Sequence, residues 1–263
     1  MPELPEVEVI RRELIAKIKG QKLEKVEILD NKFYFPGKAV VGSEIKNLLR
    51  KGKYLFLELG DWHLLLHLGM SGQLIFTEER RNFPYEKVIF YLSNGVLTFC
   101  DQRKFGRVEL LRRELKDKVW QQIGLDPFSA QFTFERFLQV TQGKSQRVKD
   151  FLLNQKRIAG IGNIYASEIL FRSGIHPQRK VNTLSMAEKE KLFTHIKPVL
   201  EEAIRCQGTT IRNYARSNGE TGSFQHFLLV YGKAGKSCPR CGSLIQREKI
   251  ANRSTYFCPS CQK

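Results

Sequence analysis

Cys238-Pro-Arg-Cys241 recurs sixteen residues later as Cys258-Pro-Ser-Cys261, and this pair of turns decides the fold of the C-terminal end. Two Cys-x-x-Cys turns at this separation supply four thiolates to one tetrahedral Zn²⁺ ion, a pair from each turn of a hairpin. Leu244-Ile245 and Thr255-Tyr256-Phe257 are predicted as the two short strands between the turns. A segment of about thirty residues cannot build its own core, so the metal would hold it folded.

Disulfides are the alternative pairing for these four cysteines. No apolar signal segment follows the start of the chain, and no apolar run is long enough to span a bilayer. We therefore expect a cytoplasmic protein that does not enter a membrane, and in that compartment zinc is favoured over disulfides. A site with four protein ligands is closed, so the zinc is expected to be structural.

Helical periodicity precedes the hairpin, from about Leu125 onward. Ser185-Met186-Ala187-Glu188 is a capping box that predicts a long helix ending near Cys206. Earlier, Gly160-Ile161-Gly162-Asn163 predicts a tight turn between helices whose backbone N–H groups face outward, with Asn163 capping the next helix. Such a turn suits one phosphate, although an ordinary connection between helices would look the same. Residues 208–224 are polar and predict a loop.

The N-terminal half of the chain has the residue pattern of β-strands. Seven strands are predicted between residues 22 and 111, with Ser93-Asn94-Gly95 as a hairpin turn. Before them, apolar residues at helical spacing from Leu4 to Ile18 predict one helix that Gly20 ends. One helix followed by antiparallel strands indicates a β-sandwich of two sheets.

The chain begins Met1-Pro2-Glu3-Leu4-Pro5-Glu6. An initiator methionine before proline is normally removed, which would leave Pro2 with a free secondary amine. An α-amino group titrates near pH 8, so about a tenth of it is an unprotonated nucleophile at neutral pH. This amine could attack C1′ of a sugar, with Glu3 and Glu6 beside it to move protons. Pro5 and its acidic neighbours also suit an ordinary first helical turn, so both interpretations stay open.

The charge predicts a polyanionic partner. Forty-four Lys and Arg residues stand against 27 Asp and Glu residues, which gives a formal net charge of +17. Nucleic acid is the partner we expect for so basic a folded chain. A basic surface kept for solubility, a ribosomal role and a membrane-surface role are the alternatives.

Six ordered stretches carry a resemblance to one family. They are Pro2-Glu3-Leu4-Pro5-Glu6-Val7-Glu8, Lys51-Gly52-Lys53-Tyr54, His67-Leu68-Gly69-Met70-Ser71-Gly72, Asp101-Gln102-Arg103-Lys104-Phe105-Gly106, the segment from Gly160 to Glu168, and the cysteine hairpin. Together they resemble the bacterial formamidopyrimidine-DNA glycosylases, which also act on 8-oxoguanine. The resemblance implies an α+β fold: a catalytic domain in residues 1–128 with an N-terminal helix and a two-layered antiparallel β-sandwich, a helical DNA-binding domain with a helix–two-turns–helix motif in 129–225, and a zinc hairpin in 226–263.

The resemblance also implies roles for particular residues. Pro2 matches the nucleophile, Glu3 the acid/base group, and Lys53 a catalytic lysine that holds a phosphate beside the lesion, while Glu6 would support them. The remaining matches are as follows: phosphate contacts at His67, Asn163 and Arg253; residues that fill the gap left by an extruded base at Met70, Arg103 and Phe105; positions near the lesion at Lys149, Ser217 and Phe224, the last two bounding a capping loop at 217–224; and zinc ligands at Cys238, Cys241, Cys258 and Cys261.

The implied activity is that of a DNA glycosylase and AP lyase. It would excise oxidised purines from double-stranded DNA by attack of Pro2, and then cut the strand by β,δ-elimination in base excision repair. We expect a bacterial monomer associated with the nucleoid, with one structural Zn²⁺ and no redox or nucleotide cofactor. Two alternatives remain: an endonuclease VIII-like enzyme for oxidised pyrimidines, whose start usually has Gly in place of Leu4, and a zinc-hairpin DNA-binding protein without catalysis.

Overall fold

The computed structural model describes residues 1–210, 220–250 and 252–263. Its contacts divide into two compact units: Met1–Gln122 with Ile204–Gln225, and Ile123–Ala203 with His226–Lys263. The first unit is therefore built from both the N-terminal part of the chain and a later segment. Among the described residues, no helix has the length and apolar character needed to cross a membrane.

Helix α1 spans Leu4–Ile18, as its apolar spacing predicts. Its start is fixed by a reciprocal capping box between Glu3 and Glu6, in which Glu6 Oε2 accepts the Glu3 N–H at 2.7 Å. Pro5 lies in the first turn, where its missing N–H costs nothing. The apolar face of α1 is buried in the core of the first unit.

Two antiparallel four-stranded sheets are present among the described residues of the first unit. One sheet has the strand order β1-β6-β7-β5 and the other β2-β3-β4-β8, and their inward side chains share one core with α1. The predicted β-sandwich is therefore confirmed. The strands are β1 (Leu23–Ile28), β2 (Asn47–Lys51), β3 (Tyr54–Leu59), β4 (Trp62–His67), β5 (Gly72–Thr77), β6 (Glu86–Leu92), β7 (Gly95–Asp101) and β8 (Arg107–Arg112).

Strand β2 was not among the seven predicted strands. Leu48 is its only fully buried residue, so the segment carries no alternation of apolar and polar residues. Helix α2 (Arg113–Gln122) follows β8 and buries none of its residues, so it too lacks an apolar signal.

The helices of the second unit include α3 (Phe134–Thr141), α4 (Val148–Leu153) and α5 (Asn163–Ser173), and α6 (Met186–Arg205) lies almost entirely within it. The capping box predicted for α6 is confirmed: Glu188 Oε2 accepts the Ser185 N–H at 2.7 Å, and Ser185 Oγ accepts the Glu188 N–H at 3.2 Å.

The C-terminal hairpin pairs β9 (Gln246–Ile250) with β10 (Arg253–Phe257). The second strand is confirmed, but the first begins after the predicted Leu244-Ile245. Ile245 instead exchanges backbone hydrogen bonds with Gly235 and Lys236 and is buried beside Cys238 and Cys258. Most of β9 is exposed and polar, so it offers no apolar alternation to recognise.

Candidate active site and nucleic-acid interface

The N-terminal residues are buried at the start of α1. Pro2 is buried, and Glu3 and Glu6 are only 3% and 2% exposed. While one oxygen of Glu6 caps Glu3, the other accepts the N–H of Thr209 at 2.8 Å. Glu6 therefore fixes both the start of the helix and the segment around Thr209.

The amino terminus is partly buried and lies among charges of both signs. Burial lowers the pKa of the Met1 amino group; the charges of Glu3 and Glu6 oppose this, and those of Lys53 and Arg103 add to it. Lys53 is itself buried, at 4% exposed, in the turn between β2 and β3. An amine at this end of the chain is thus kept more available as a free base than an exposed one.

His67 is held as a neutral side chain. Burial, followed by the charges of Lys53 and Arg107, lowers the pKa of His67 to about 4. Its Nδ1 accepts the N–H of Gly69 at 3.2 Å, which places the ring proton on Nε2. His67 can therefore offer a phosphate one neutral hydrogen bond, whereas Lys53 brings a full charge.

This difference predicts distinct salt dependences for two variants. His67→Gln should weaken DNA binding by roughly fivefold, the size of one neutral hydrogen bond of about 1 kcal/mol. It should leave the slope of log affinity against log salt unchanged, and the loss should be constant between about pH 5.5 and 8 because the imidazole stays neutral there. Lys53→Met should reduce the slope by about one. Fluorescence anisotropy over a salt series measures both, and a reduced slope in His67→Gln would show an imidazolium instead.

Two loops of the sandwich meet backbone to backbone, and they carry the residues predicted to fill the duplex. Gly69 has a φ of +56°, and a Cβ there would lie 2.5 Å from the carbonyl carbon and oxygen of Phe105. Met70 and Phe105 project outward, at 42% and 56% exposed. Arg103 is exposed, and its guanidinium carbon lies 5.1 Å from the centre of the Phe105 ring. The structure thus brings together on one surface the three residues predicted to fill the gap left by an extruded base, Met70, Arg103 and Phe105, which we call the wedge.

Asp101 joins these loops, and sequence reasoning missed it. The residue is fully buried at the end of β7. One carboxylate oxygen accepts from Ser71 Oγ at 2.6 Å and the Arg103 N–H at 3.2 Å, while the other accepts the Gly106 N–H at 2.7 Å. Asp101 opens one of the six stretches that carry the resemblance, but nothing in that stretch indicates its bond to Ser71, which lies thirty residues away.

Asp101→Asn should therefore weaken the hydrogen bonds that hold together the two loops carrying Met70, Arg103 and Phe105. Both carboxylate oxygens of Asp101 accept hydrogen bonds, whereas the asparagine amide has one acceptor oxygen and one NH₂ group. The NH₂ group would face an N–H or O–H donor, so we expect the free energy of unfolding to fall by about 1–3 kcal/mol. Affinity for DNA containing a tetrahydrofuran abasic analogue should fall more than affinity for undamaged DNA. Thermal denaturation and anisotropy titrations check the two parts. An equal loss on both DNAs would mean that Asp101 supports only the fold.

The turn before α5 differs from the predicted one. Gly162 takes the N-cap position, and Asn163 is the first residue inside the helix without capping it. Asn163 Nδ2 instead donates to the Ser254 carbonyl of β10 at 2.8 Å. The Gly160 N–H does not face outward unpaired, because Gln155 Oε1 accepts it at 2.8 Å. Gln155, another residue that the sequence reasoning missed, thus holds the turn in place.

The hairpin contributes Arg253 and receives Lys149. Arg253 is exposed at the start of β10, directly before the Ser254 that binds Asn163. Lys149 is fully buried, and its Nζ donates to Thr255 Oγ1 at 2.5 Å. Lys149 and Asn163 therefore join α4 and α5 to the same strand. A role for Lys149 beside a damaged base stays a prediction.

The segment around the predicted capping loop is only partly described. Ser217 lies outside the described residues. Phe224 is fully buried, and its N–H donates to the Gly208 carbonyl at 3.0 Å. Gly222 also packs tightly against the backbone at Gly208, since a Cβ on Gly222 would lie 2.2 Å from the Gly208 oxygen.

The four hairpin cysteines converge on one point. All four Sγ atoms lie within 4.8 Å of one another. Cys238 and Cys261 Sγ are 3.8 Å apart, and Cys241 and Cys258 Sγ are 3.5 Å apart. Tetrahedral Zn–S bonds of about 2.3 Å require sulfur separations of about 3.8 Å, whereas a disulfide requires about 2.0 Å. The residues fit one structural zinc ion, and the disulfide alternative is wrong.

Comparison with known families assigns all three regions of the chain. The formamidopyrimidine-DNA glycosylase N-terminal domain matches residues 1–108, and the H2TH domain of the same enzymes matches residues 123–215. The chain belongs to the formamidopyrimidine-DNA glycosylase family. A zinc finger found in FPG and IleRS matches residues 235–263, which contain the cysteine cluster.

Relatives align over the whole chain. The formamidopyrimidine-DNA glycosylase of Heliobacterium modesticaldum is 42% identical over all of both chains. That of Pelotomaculum thermopropionicum is 40% identical over all of this chain and 99% of its own length.

Solved structures extend the similarity to the fold. A variant of the Lactococcus lactis FPG in complex with DNA containing Fapy-dG has a TM-score of 0.92 at 36% identity, with complete coverage of both chains. The Lactococcus lactis Fpg bound to DNA containing an abasic site has a TM-score of 0.90 at 36% identity, with 99% of each chain covered.

Proposed function

We propose that the chain is a bifunctional DNA glycosylase and AP lyase that removes oxidised purines, 8-oxoguanine and formamidopyrimidines, from double-stranded DNA. The observation that carries this proposal is the buried start of α1. Pro2 and Glu3 lie there beside the charges of Lys53 and Arg103, on a chain that matches formamidopyrimidine-DNA glycosylases along its full length.

The chemistry follows from an amine at the mature N-terminus. The lone pair of the Pro2 nitrogen forms a bond to C1′ of the deoxyribose while the bond from C1′ to the base breaks, and the base leaves with the electron pair. The Pro2 nitrogen then loses its proton, Glu3 protonates the ring oxygen, and the bond from C1′ to that oxygen breaks as the nitrogen lone pair forms the C=N bond of an iminium. The iminium acidifies the C2′ proton, so β-elimination and then δ-elimination release the two phosphates and leave a one-nucleotide gap.

Recognition of the lesion would use the residues that the family resemblance assigns to it. Met70 and Phe105 would replace the extruded base in the stack, and Arg103 would hydrogen-bond its orphaned partner. Lys53, His67, Asn163 and Arg253 would bind phosphates around the extruded nucleotide. The zinc ion, held by the four cysteines, keeps the hairpin that carries Arg253 folded and has no part in the chemistry.

The proposal includes a setting in the cell. The relatives above and the Lactococcus structures come from bacteria, and the two Lactococcus complexes contain DNA with Fapy-dG or an abasic site. A monomer acting on the bacterial nucleoid, in the cytoplasm, agrees with a chain of net charge +17 and with its DNA substrate.

A comparison of two damaged duplexes tests the substrate class. The chain should cut an 8-oxoguanine duplex faster than a thymine-glycol duplex under single-turnover conditions. The reverse order would favour the endonuclease VIII-like alternative. Binding to both duplexes with cutting of neither would favour the DNA-binding protein without catalysis.

A further inference from the structure

Glu8 is a buried carboxylate of α1 to which the proposed chemistry gives no role. Three arginines converge on it. Arg11 and Arg12, on the same helix, donate at 2.8 Å, and Arg50 of β2 donates from Nε at 2.9 Å. Arg12 is mostly exposed, whereas the Arg50 side chain is only 7% exposed. Of these contacts, the one with Arg50 is long-range and fixes α1 to the strand that leads to Lys53.

Arg50 makes a second contact, on the turn itself. Its Nη1 donates to the Gly52 carbonyl at 3.3 Å. Lys51 pairs with Tyr54 across the hairpin, so Gly52 and Lys53 form a two-residue turn, and Gly52 has a φ of +56°. The Gly52 carbonyl belongs to the peptide group that precedes Lys53, so its orientation sets the direction in which Lys53 leaves the turn.

We infer that Glu8 and Arg50 are positioning residues that hold Lys53 beside the N-terminal amine. The inference rests on the proposed function, because it concerns the role of Lys53 in that reaction. Glu8 orients the Arg50 guanidinium, Arg50 fixes the Gly52 carbonyl, and the Lys53 ammonium is thereby set relative to the first residues of α1. Neither Glu8 nor Arg50 is expected to touch the substrate.

The electrostatics agree with a fixed ion pair. Burial alone would raise the pKa of Glu8, but hydrogen bonds from Arg11 and Arg12 and the charge of Arg50 lower it to about 2. Glu8 is therefore ionised at neutral pH. Arg50 needs its planar fork for the task, since one nitrogen faces the carboxylate and another faces the carbonyl.

Two substitutions and a double-mutant cycle test the inference. Glu8→Gln should lower the single-turnover rate of borohydride trapping on abasic DNA by about tenfold, because small displacements of catalytic groups cost one to two orders of magnitude. In a Lys53→Met background the same substitution should lower it by less than about twofold, because the two changes act through one group. Glu202→Gln, which removes a carboxylate paired with Arg172 at 2.6 Å in the second unit, is the matched control and should trap at the parent rate.

Arg50→Lys keeps the test valid if Glu8→Gln does not fold. Lysine retains the charge that faces Glu8 but cannot also reach the Gly52 carbonyl, so the melting temperature should stay near that of the parent while trapping slows by about tenfold. The inference would be overturned if Arg50→Lys trapped DNA at the parent rate. It would also be overturned if Glu8→Gln slowed trapping equally with and without Lys53. Failure of the parent chain to trap DNA would overturn the proposed function instead.

Discussion

A chain that keeps Met1 should trap abasic DNA at least about a thousandfold more slowly than a chain that begins at Pro2, a loss typical of removing a nucleophile. In the longer chain the Pro2 nitrogen is a tertiary amide and has no free lone pair. The Met1 amine cannot replace it, because its α-carbon lies about 3.8 Å further along the chain and effective attack requires close alignment. The two forms can be made from a cleavable fusion, and single-turnover borohydride trapping compares their rates.

Binding to a tetrahydrofuran duplex is the control for this comparison. Both forms should bind that duplex with affinities within about tenfold, since the phosphate contacts and the wedge are unchanged. Equal trapping by both forms would place the nucleophile elsewhere in the chain. Tight binding with no trapping by either form would indicate a DNA-binding protein without catalysis.

Loss of one zinc ligand should have the second large effect. Cys258→Ser should reduce the zinc content from one ion per chain to none and unfold the hairpin, because a segment this small depends on its metal. The affinity for DNA should fall by about a hundredfold, because the contacts of Arg253 and those that Asn163 and Lys149 make with β10 are lost together. Metal analysis and anisotropy measure the two effects.

Hydrogen exchange separates this explanation from general unfolding. In Cys258→Ser the amides of Arg253–Phe257 should lose protection while those of β3 and β4 keep it. Cys206→Ser, which removes a thiol outside the cluster, is the matched control and should keep zinc, protection and affinity. Retained protection of β10 in Cys258→Ser would show that packing around Phe171 and Val230, rather than the metal, folds the hairpin.

The elements with a strong local pattern could be predicted from the sequence. Helix α1, the sandwich strands with apolar alternation and the capped start of α6 all arise from signals within a few residues. Strand β2 could not be predicted, because it is stabilised by pairing with β3 rather than by an apolar period. Helix α2 buries none of its residues, so no apolar face marks it in the sequence.

Site residues, too, could be predicted where the signal is local and not where it depends on distant contacts. The cysteine spacing predicted the zinc ligands. Asp101 binds Ser71 and Lys149 binds Thr255, at sequence separations of 30 and 106 residues, and nothing local reveals these two contacts. Asn163 was expected to cap α5, but Gly162 adopts the extended cap conformation itself and leaves the amide free to bind β10.

Peptide mapping of the borohydride-reduced complex tests the central claim most directly. After incubation with an abasic duplex, digestion and mass spectrometry should locate the sugar remnant on the nitrogen of Pro2, in a peptide that lacks Met1. An adduct on an internal lysine such as Lys53, or DNA cutting with no protein adduct, would contradict the account.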